Sequence, residues 1–327
     1  MQNPALTFDS LLIENTRRCN FACSHCCRGD AQNLDISPES INALLDQTED
    51  IGLIGFIGGE PLLNLSAMDY VLTEMQRRYI PLNLFTITTN GYIFSNDFID
   101  LIKRYANHIR VCNDALPVGS VTVNISMDRY HTNCEKVQRN YEQYKQALSG
   151  VATVQIYKLG DLPFKFGRAE QLDEAISYPG LIDVYASKRL EVFSSDIKPD
   201  AKCRGFYRLS YPEQIIICCP TYVTVNGDLV HGNIGQRASY KDIDNNTICN
   251  VTDNIWKSIQ DYNRSRLSCA ICTEAEDAIC KQAIKDIDLD YLIQHADAKM
   301  PEDIANVGKH LAKYPFGRKF LKAIIYG

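Results

Sequence analysis

Along the first two thirds of the chain, short apolar runs alternate with longer amphipathic stretches. Leu11–Thr16 predicts a first strand. Ser37-Pro38-Glu39 predicts a helix start, with an N-cap hydroxyl, a proline in the first turn and an acid at the positive end of the helix dipole; that helix runs to about Thr48. Ile51–Ile57 is apolar on both faces, the pattern of a buried parallel strand. A helix over Ser66–Arg78 leads to a strand at Asn83–Thr88, and a helix over Asp97–Tyr105 precedes a strand at Val121–Asp128. Helix Lys136–Leu148 and strand Val151–Leu159 continue the series. Strands and helices in this rhythm predict βαβ units and a parallel sheet, an α/β fold in which ligands bind at the C-terminal ends of the strands. Beyond Asp200 the pattern changes. Ile215-Ile216-Ile217-Cys218-Cys219-Pro220 precedes a predicted hairpin, Thr221–Val225 and Leu229–His231 around Asn226-Gly227-Asp228, because Asn-Gly is the strongest short hairpin signal. A helix follows near Asn254–Tyr262, and residues 285–327 predict helices that pack back on the preceding domain.

Composition narrows the classes. The 327 residues suffice for one large domain and a smaller one, and 45% hydrophobic with 23% charged residues is an ordinary globular balance. A net charge of −6 gives no electrostatic reason to expect nucleic acid or an anionic membrane as partner. Met1–Ser10 has neither the basic start nor the apolar centre of a signal peptide, and no apolar run approaches the ~20 residues of a spanning helix. A cytoplasmic location is expected. In that reducing compartment 13 cysteines are not a disulfide scaffold. They group at 19–27 and at 203–280, with only Cys112 and Cys134 between, which suits metal binding; those two are expected to be small buried hydrophobes.

The first group, Cys19-Asn20-Phe21-Ala22-Cys23-Ser24-His25-Cys26-Cys27, places three thiols at C-x3-C-x2-C on one short loop. Four cysteines fill every corner of a [4Fe–4S] cube or a structural zinc; three leave one position open for chemistry. A zinc knuckle or a cluster of buried cysteines is the alternative. With Asn15-Thr16-Arg17-Arg18 before it, the loop resembles the signature of the radical SAM superfamily. The resemblance implies that Cys19, Cys23 and Cys26 hold a [4Fe–4S] cluster whose open iron binds S-adenosylmethionine. Cys27 is read as packing or as an auxiliary thiol. His25 stands where relatives often place an aromatic residue against the adenine, and an exposed loop histidine is the alternative.

Further segments follow in the family's order. Gly58-Gly59-Glu60-Pro61 resembles the GGEP motif that holds the cofactor's methionyl ammonium; glycines allow close approach and a carboxylate attracts a cation. Taken alone it is equally a turn, and no G-x-G-x-x-G frame is present for a dinucleotide. Thr89-Asn90-Gly91 resembles the family's Thr-Asn-Gly, with Asn90 near the cofactor. Ser126-Met127-Asp128 resembles the S-x-D end of the fourth strand, with Ser126 toward the methionine carboxylate and Asp128 capping the loop. Phe166-Gly167-Arg168-Ala169 resembles a Gly-Arg-Ala segment after later strands, which implies Arg168 as a cofactor contact; an exposed arginine is the alternative. The implied fold is a partial (βα)6 radical SAM barrel over residues 1–200.

The cysteine-rich part, 201–284, resembles the SPASM and twitch extensions: a cysteine, a hairpin with a Gly turn, then Cys269-Ala270-Ile271-Cys272 and Cys280. It implies an auxiliary [4Fe–4S] cluster on Cys219, Cys269, Cys272 and Cys280, with structural zinc on the same residues as rival. The SPASM pattern wants a cysteine shortly after the hairpin glycine, where this chain has His231-Gly232-Asn233. Cys203, Cys218, Cys249, Cys280 or His231 is then the substitute ligand. The Cys26-Cys27 pair and Asp128-Arg129-Tyr130-His131 resemble peptide-modifying members, including the peptidyl epimerases of epipeptide pathways. Epimerases use a cysteine in the hairpin region as hydrogen donor, so its absence counts against epimerisation.

Three functions are weighed. The first is hydrogen abstraction from a ribosomally synthesised peptide, leading to a cross-link or an epimer; the second is the same chemistry on a small molecule such as an aminosugar or cofactor precursor. The third is a non-enzymatic iron–sulfur carrier or scaffold, which has no use for Gly59-Glu60 or an open three-cysteine loop. A low-potential donor of flavodoxin or ferredoxin type is an expected partner. With the first barrel strand begun by Leu11, a leader peptide is recognised elsewhere on the chain or by a separate protein, or the substrate is not a peptide.

Overall fold

The computed structural model describes residues 5–113, 119–128, 130, 131, 135–157, 163–177, 180–186, 190, 192, 193 and 215–264. Its first half is the predicted alternation: β1 (Leu6–Thr16), α1 (Pro38–Leu45), β2 (Thr48–Gly58), α2 (Leu65–Arg77), β3 (Leu82–Thr89), α3 (Asn96–Asn113), β4 (Val121–Ser126), α4 (Glu135–Ala147) and β5 (Thr153–Tyr157). There follow α5 (Leu181–Ala186), β6 (Val192–Phe193), β7 (Ile215–Ile217), β8 (Thr221–Val223), β9 (Asp228–His231), α6 (Gly232–Arg237), α7 (Tyr240–Asp244), β10 (Thr247–Asn250) and α8 (Ile255–Arg264). No described helix is long and apolar enough to cross a membrane.

The ten strands among the described residues form one sheet. β1 to β5 are parallel neighbours in sequence order, as a partial barrel requires. On the other flank β1 runs parallel to β7 over Leu6–Phe8 and to β8 over Leu11–Ile13. β8, β9 and β10 then continue antiparallel. The hairpin of the cysteine-rich region therefore lengthens the sheet beside β1. β6 pairs antiparallel with β7 rather than lying beside β5.

Burial explains where strands and helices exceed their expected limits. β1 starts at Leu6, not Leu11, because its first residues pair with β2 on one side and β7 on the other, and even Thr7 and Asp9 are buried in it. α3 continues past Tyr105 to Asn113 because Phe98, Ile102, Tyr105 and Ile109 keep one apolar stripe facing the core. Cys112 lies on that last turn, half-buried beside His108 rather than fully buried as expected. Cys134 lies outside the described residues.

Successive β1 side chains face opposite ways, so the sheet has two cores. Leu11 and Ile13 join Phe56, Phe85 and Tyr105 on the helix side, where the Phe85 and Tyr105 rings sit 4.5 Å apart. Leu12 joins Tyr222, Val230, Ile234 and Tyr240 on the other.

Candidate active site

The C-terminal ends of β1 and β2 are tied to each other. Gly59 N donates to Thr16 O at 2.9 Å and Glu60 N to Arg18 O at 2.8 Å. A Cβ on Gly59 would overlap Arg18 O, and one on Gly58, at φ +129°, would overlap Thr16 O. Glycine is thus required at both positions for the two strand ends to meet. Asn15 locks the junction, its Nδ2 donating to Pro61 O and Asn64 O at 2.9 and 3.1 Å.

From this junction the cysteine loop leaves. Cys19, Cys23, Cys26 and Cys27 are half-buried and in no disulfide. Cys26 N donates to Cys23 O at 3.2 Å, and Phe21 N approaches Cys19 Sγ at 3.4 Å, a bond that stabilises a thiolate. Burial pushes the Cys19 thiol up to about 11; the Phe21 N–H opposes this, while Glu60, Cys23 and Cys26 add to it. Burial, then Cys27, also raises Cys26, with Arg168 and Arg28 opposing. Negative charge gathers where these thiols lie, and a bound cation would invert that balance and hold them as thiolates.

Glu60 is fully buried beneath the loop. Its Oε1 accepts from Thr89 Oγ1 at 2.6 Å and Leu62 N at 3.1 Å, and its Oε2 from Asn90 N at 2.8 Å. Burial raises its pKa against these three donors. Three bonds leave one of the carboxylate's roughly four lone-pair sites for a ligand. Asn90 connects the site to the cysteine loop, its Nδ2 donating to Asn20 Oδ1 at 2.7 Å. Glu60 therefore also pins the ends of β2 and β3, a role its motif does not reveal.

At the end of β4, Ser126 is buried in register with Tyr157. Asp128 Oδ1 accepts from Tyr130 N at 3.0 Å and His131 N at 3.1 Å, the expected loop cap. It also accepts from His131 Nδ1 at 2.8 Å. Burial works against the charged forms, but this pair holds Asp128 well below the usual carboxylate range and raises His131 to about 9, with Cys23 also favouring the imidazolium. His25 is packed in, not exposed: its ring stacks on Tyr130 at 4.7 Å and meets His131 edge-on at 4.9 Å. The ligating atoms of His25, Asp128 and His131 lie within 4.8 Å of one another. His25 Nδ1 is buried without a hydrogen-bond partner. That orphaned atom, the open site on Glu60 and the three thiols fit an iron–sulfur cluster with an amino-acid and adenine-bearing ligand against it.

Arg168 grips the loop from outside. Its N donates to Cys26 O at 3.0 Å, its Nε to Cys23 O at 2.9 Å and its Nη1 to Asp30 at 3.2 Å. Gly167 sits at φ +57°, and a Cβ there would overlap Gly29 N and the Cys26 and Cys27 carbonyls.

The second cysteine group is described only in part. Cys218 and Cys219 are half-buried between β7 and β8, while Cys249 packs in the core on β10, where burial pushes its thiol up to about 12 against a Ser258 hydrogen bond. His231 is buried and its Nδ1 accepts from Asn233 N at 3.2 Å, capping α6. Cys203, Cys269, Cys272 and Cys280 lie outside the described residues.

Sequence reasoning gave no role to Glu14 or Arg28, and took Arg17, Tyr130 and His131 only as parts of family motifs. Glu14 and Arg17 form a buried ion pair at 2.8 Å, and Arg17 also pairs with Asp244 at 2.6 Å. A charge at 14 and 17 within an apolar strand end was the available signal; its partners were not.

Residues 13–155 match the family described as the radical SAM superfamily. An uncharacterised protein of Methanocaldococcus jannaschii is 27% identical over 116 residues, 34% of this chain and 40% of that protein. GTP 3′,8-cyclase of Chlorobaculum tepidum is 27% identical over 137 residues, 41% of each. The matched part spans about two fifths of these relatives' length. Among solved structures, native anSMEcpe with bound AdoMet and the Cp18Cys peptide has a TM-score of 0.43 at 14% identity, over 80% of this chain and 82% of that one. Streptococcus suis SuiB bound to precursor peptide SuiA has 0.38 at 11% identity, over 70% and 60%.

Proposed function

We propose, starting from the fact that residues 13–155 form a radical SAM domain, that the chain acts on a ribosomally synthesised peptide by abstracting one hydrogen atom and so modifies it after translation. A [4Fe–4S] cluster on Cys19, Cys23 and Cys26 would supply the electron that cleaves S-adenosylmethionine to the 5′-deoxyadenosyl radical. The observation that carries this reading is the convergence of the cysteine loop and the buried Glu60 at the ends of β1 to β3, joined through Asn20 and Asn90.

The chain's own residues have distinct parts in this reading. Glu60, with the bare backbone of Gly58 and Gly59, binds the ammonium group, since a buried carboxylate with one open lone pair favours a cation there. His25 would hold the adenine, with its orphaned Nδ1 available for a hydrogen bond there. Ser126 and Asn90 face the amino-acid end. Arg168 fixes the Cys23 and Cys26 carbonyls, and with them the course of the loop. An auxiliary [4Fe–4S] cluster on Cys219, Cys269, Cys272 and Cys280, with zinc as its rival, and a low-potential donor of flavodoxin or ferredoxin type complete the assignment.

The peptide substrate rests on the Cys26-Cys27 pair and on Asp128, Tyr130 and His131, whose motif resembles peptide modifiers. A small-molecule substrate is the second reading, favoured by His231 standing near where a SPASM-type modifier has a cysteine. Anaerobically reconstituted protein given dithionite is expected to yield methionine and 5′-deoxyadenosine. Cys19, Cys23 and Cys26 changed together to Ala should abolish the cleavage yet retain about four irons at the second site. Cleavage at the parent rate in that variant overturns the central assignment, and zinc without iron removes the auxiliary cluster.

A further inference from the structure

Two arginines bracket the cysteine loop, Arg17 before it and Arg28 after it. Both are held by one stretch of chain distant in sequence. Arg17 is 1% exposed; its Nη1 and Nη2 donate to the two Asp244 oxygens at 2.8 and 2.6 Å, and the Tyr240 ring covers its guanidinium at 4.5 Å. Arg28 donates to Ala238 O at 2.9 Å and to Gly235 O, and lies over the Tyr222 ring at 5.4 Å. Tyr240 N returns a bond to Arg28 O at 3.2 Å. The circuit closes at Glu14, which accepts from Arg17 Nε and from Tyr222 Oη, each at 2.8 Å, and from Val225 N at 3.1 Å.

We propose that residues 222–244, the hairpin with α6 and α7, are a brace that sets the conformation of the cysteine loop, with Arg17 and Arg28 as its positioning residues. The loop has no ladder of its own; within it the backbone closes only local turns such as Cys26 N to Cys23 O and Gly29 N to Cys26 O. Its shape must come from outside. A guanidinium withdrawn from water needs all its donors answered, and an unanswered one is costly. Neither Arg17 nor Arg28 can shift without stranding such donors, so the entry and exit of the loop stay where the brace holds them. Arg28 also lies near enough to Cys26 and Cys27 for its charge to act on both.

The inference rests on reading the loop as the cluster site, and the test keeps the two apart. Asp244 is 38% exposed, so Asp244→Asn keeps its shape with little risk to folding; Arg28→Met and Arg28→Lys form the second pair. Hydrogen exchange is measured first on iron-free protein, where residues 18–29 should exchange about tenfold faster in Asp244→Asn and Arg28→Met, the factor that one charged hydrogen bond is worth. Arg28→Lys should recover part of the protection, since an ammonium keeps the charge but cannot span two carbonyls as a fork. In reconstituted protein the reduced cluster of Arg28→Met should show an altered electron paramagnetic resonance g-tensor at unchanged circular dichroism. Unchanged exchange in the loop for both variants, or acceleration spread evenly over the chain, overturns the brace. Absence of iron from the parent protein overturns the cluster reading, while the exchange data still decide the brace.

Discussion

Replacing Glu60 with Gln keeps the length of a side chain that accepts three hydrogen bonds and, in the proposed function, holds a cofactor ammonium. Oε1 can go on accepting from Thr89 and Leu62. The other atom becomes an NH2 group facing the Asn90 N–H across 2.8 Å, a donor against a donor. A hydrogen bond to a charged acceptor is worth about 1.5–3 kcal/mol, and a stranded buried N–H costs about 1–3 kcal/mol. Relief of the buried carboxylate's desolvation, visible in its raised pKa, offsets part of this. The expected loss of stability is therefore about 1–2 kcal/mol, read from urea unfolding of the iron-free chain. The loss at the ammonium has no such offset, so affinity for S-adenosylmethionine should fall about ten- to a hundredfold, read by anaerobic equilibrium binding. Reduced stability with unchanged affinity would show Glu60 to be a strut alone. If neither changes, the reasoning from its hydrogen bonds is wrong.

Three further outcomes follow from the same geometry. Gly167→Ala adds a Cβ against backbone atoms of Cys26, Cys27 and Gly29 at a positive φ; overpacking of this kind costs about 1–3 kcal/mol, and the loop must move, so iron bound per chain should drop while α-helical circular dichroism stays. Cys27→Ser should leave the cluster absorbance nearly intact, and loss of iron would mean that the ligand set is misassigned. His108, buried and bonded through Nε2 to Ile80 O at 2.9 Å, has its pKa lowered by burial. Its unfolded form takes up a proton first, so stability should fall as pH drops below about 6.5. His108→Gln should flatten that part of the curve, and an unchanged slope in urea titrations would count against the buried neutral imidazole.

The parallel half of the fold was legible because its signals are local. Ser37 does accept from Ser40 N as an N-cap, and the all-apolar run at Ile51–Ile57 lies within a strand hydrogen-bonded on both sides. What escaped reading was set by neighbours distant in sequence. Thr7 and Asp9 look like loop residues, yet β7 pairs with Leu6–Phe8 and makes this stretch strand. The Asn226-Gly227 hairpin was found, but not that it would seat itself in parallel beside β1. A turn signal specifies two strands and their register; it says nothing of the third strand they join.

The site divides in the same way. Gly58, Gly59, Glu60, Asn90 and the cysteine loop could be picked out in the sequence, and the structure brings them together at the ends of β1 to β3. The residues that hold those groups in place were not, because an arginine in sequence does not name its carboxylate. Arg17 and Asp244 are separated by 227 positions, and no window of the chain contains both. Yet their pairing follows from the sheet: once β8 lies against Leu11–Ile13, Tyr222 faces Glu14, and the chain leaving β9 must cross the mouth of the cysteine loop. A buried Glu14 next to a buried Arg17 still leaves guanidinium donors unanswered, and Asp244 arrives on that crossing to answer them. The cysteine pattern thus carries the proposed chemistry, while its support comes from residues 222–244, distant in sequence. A change at either end of that brace should be felt at the other.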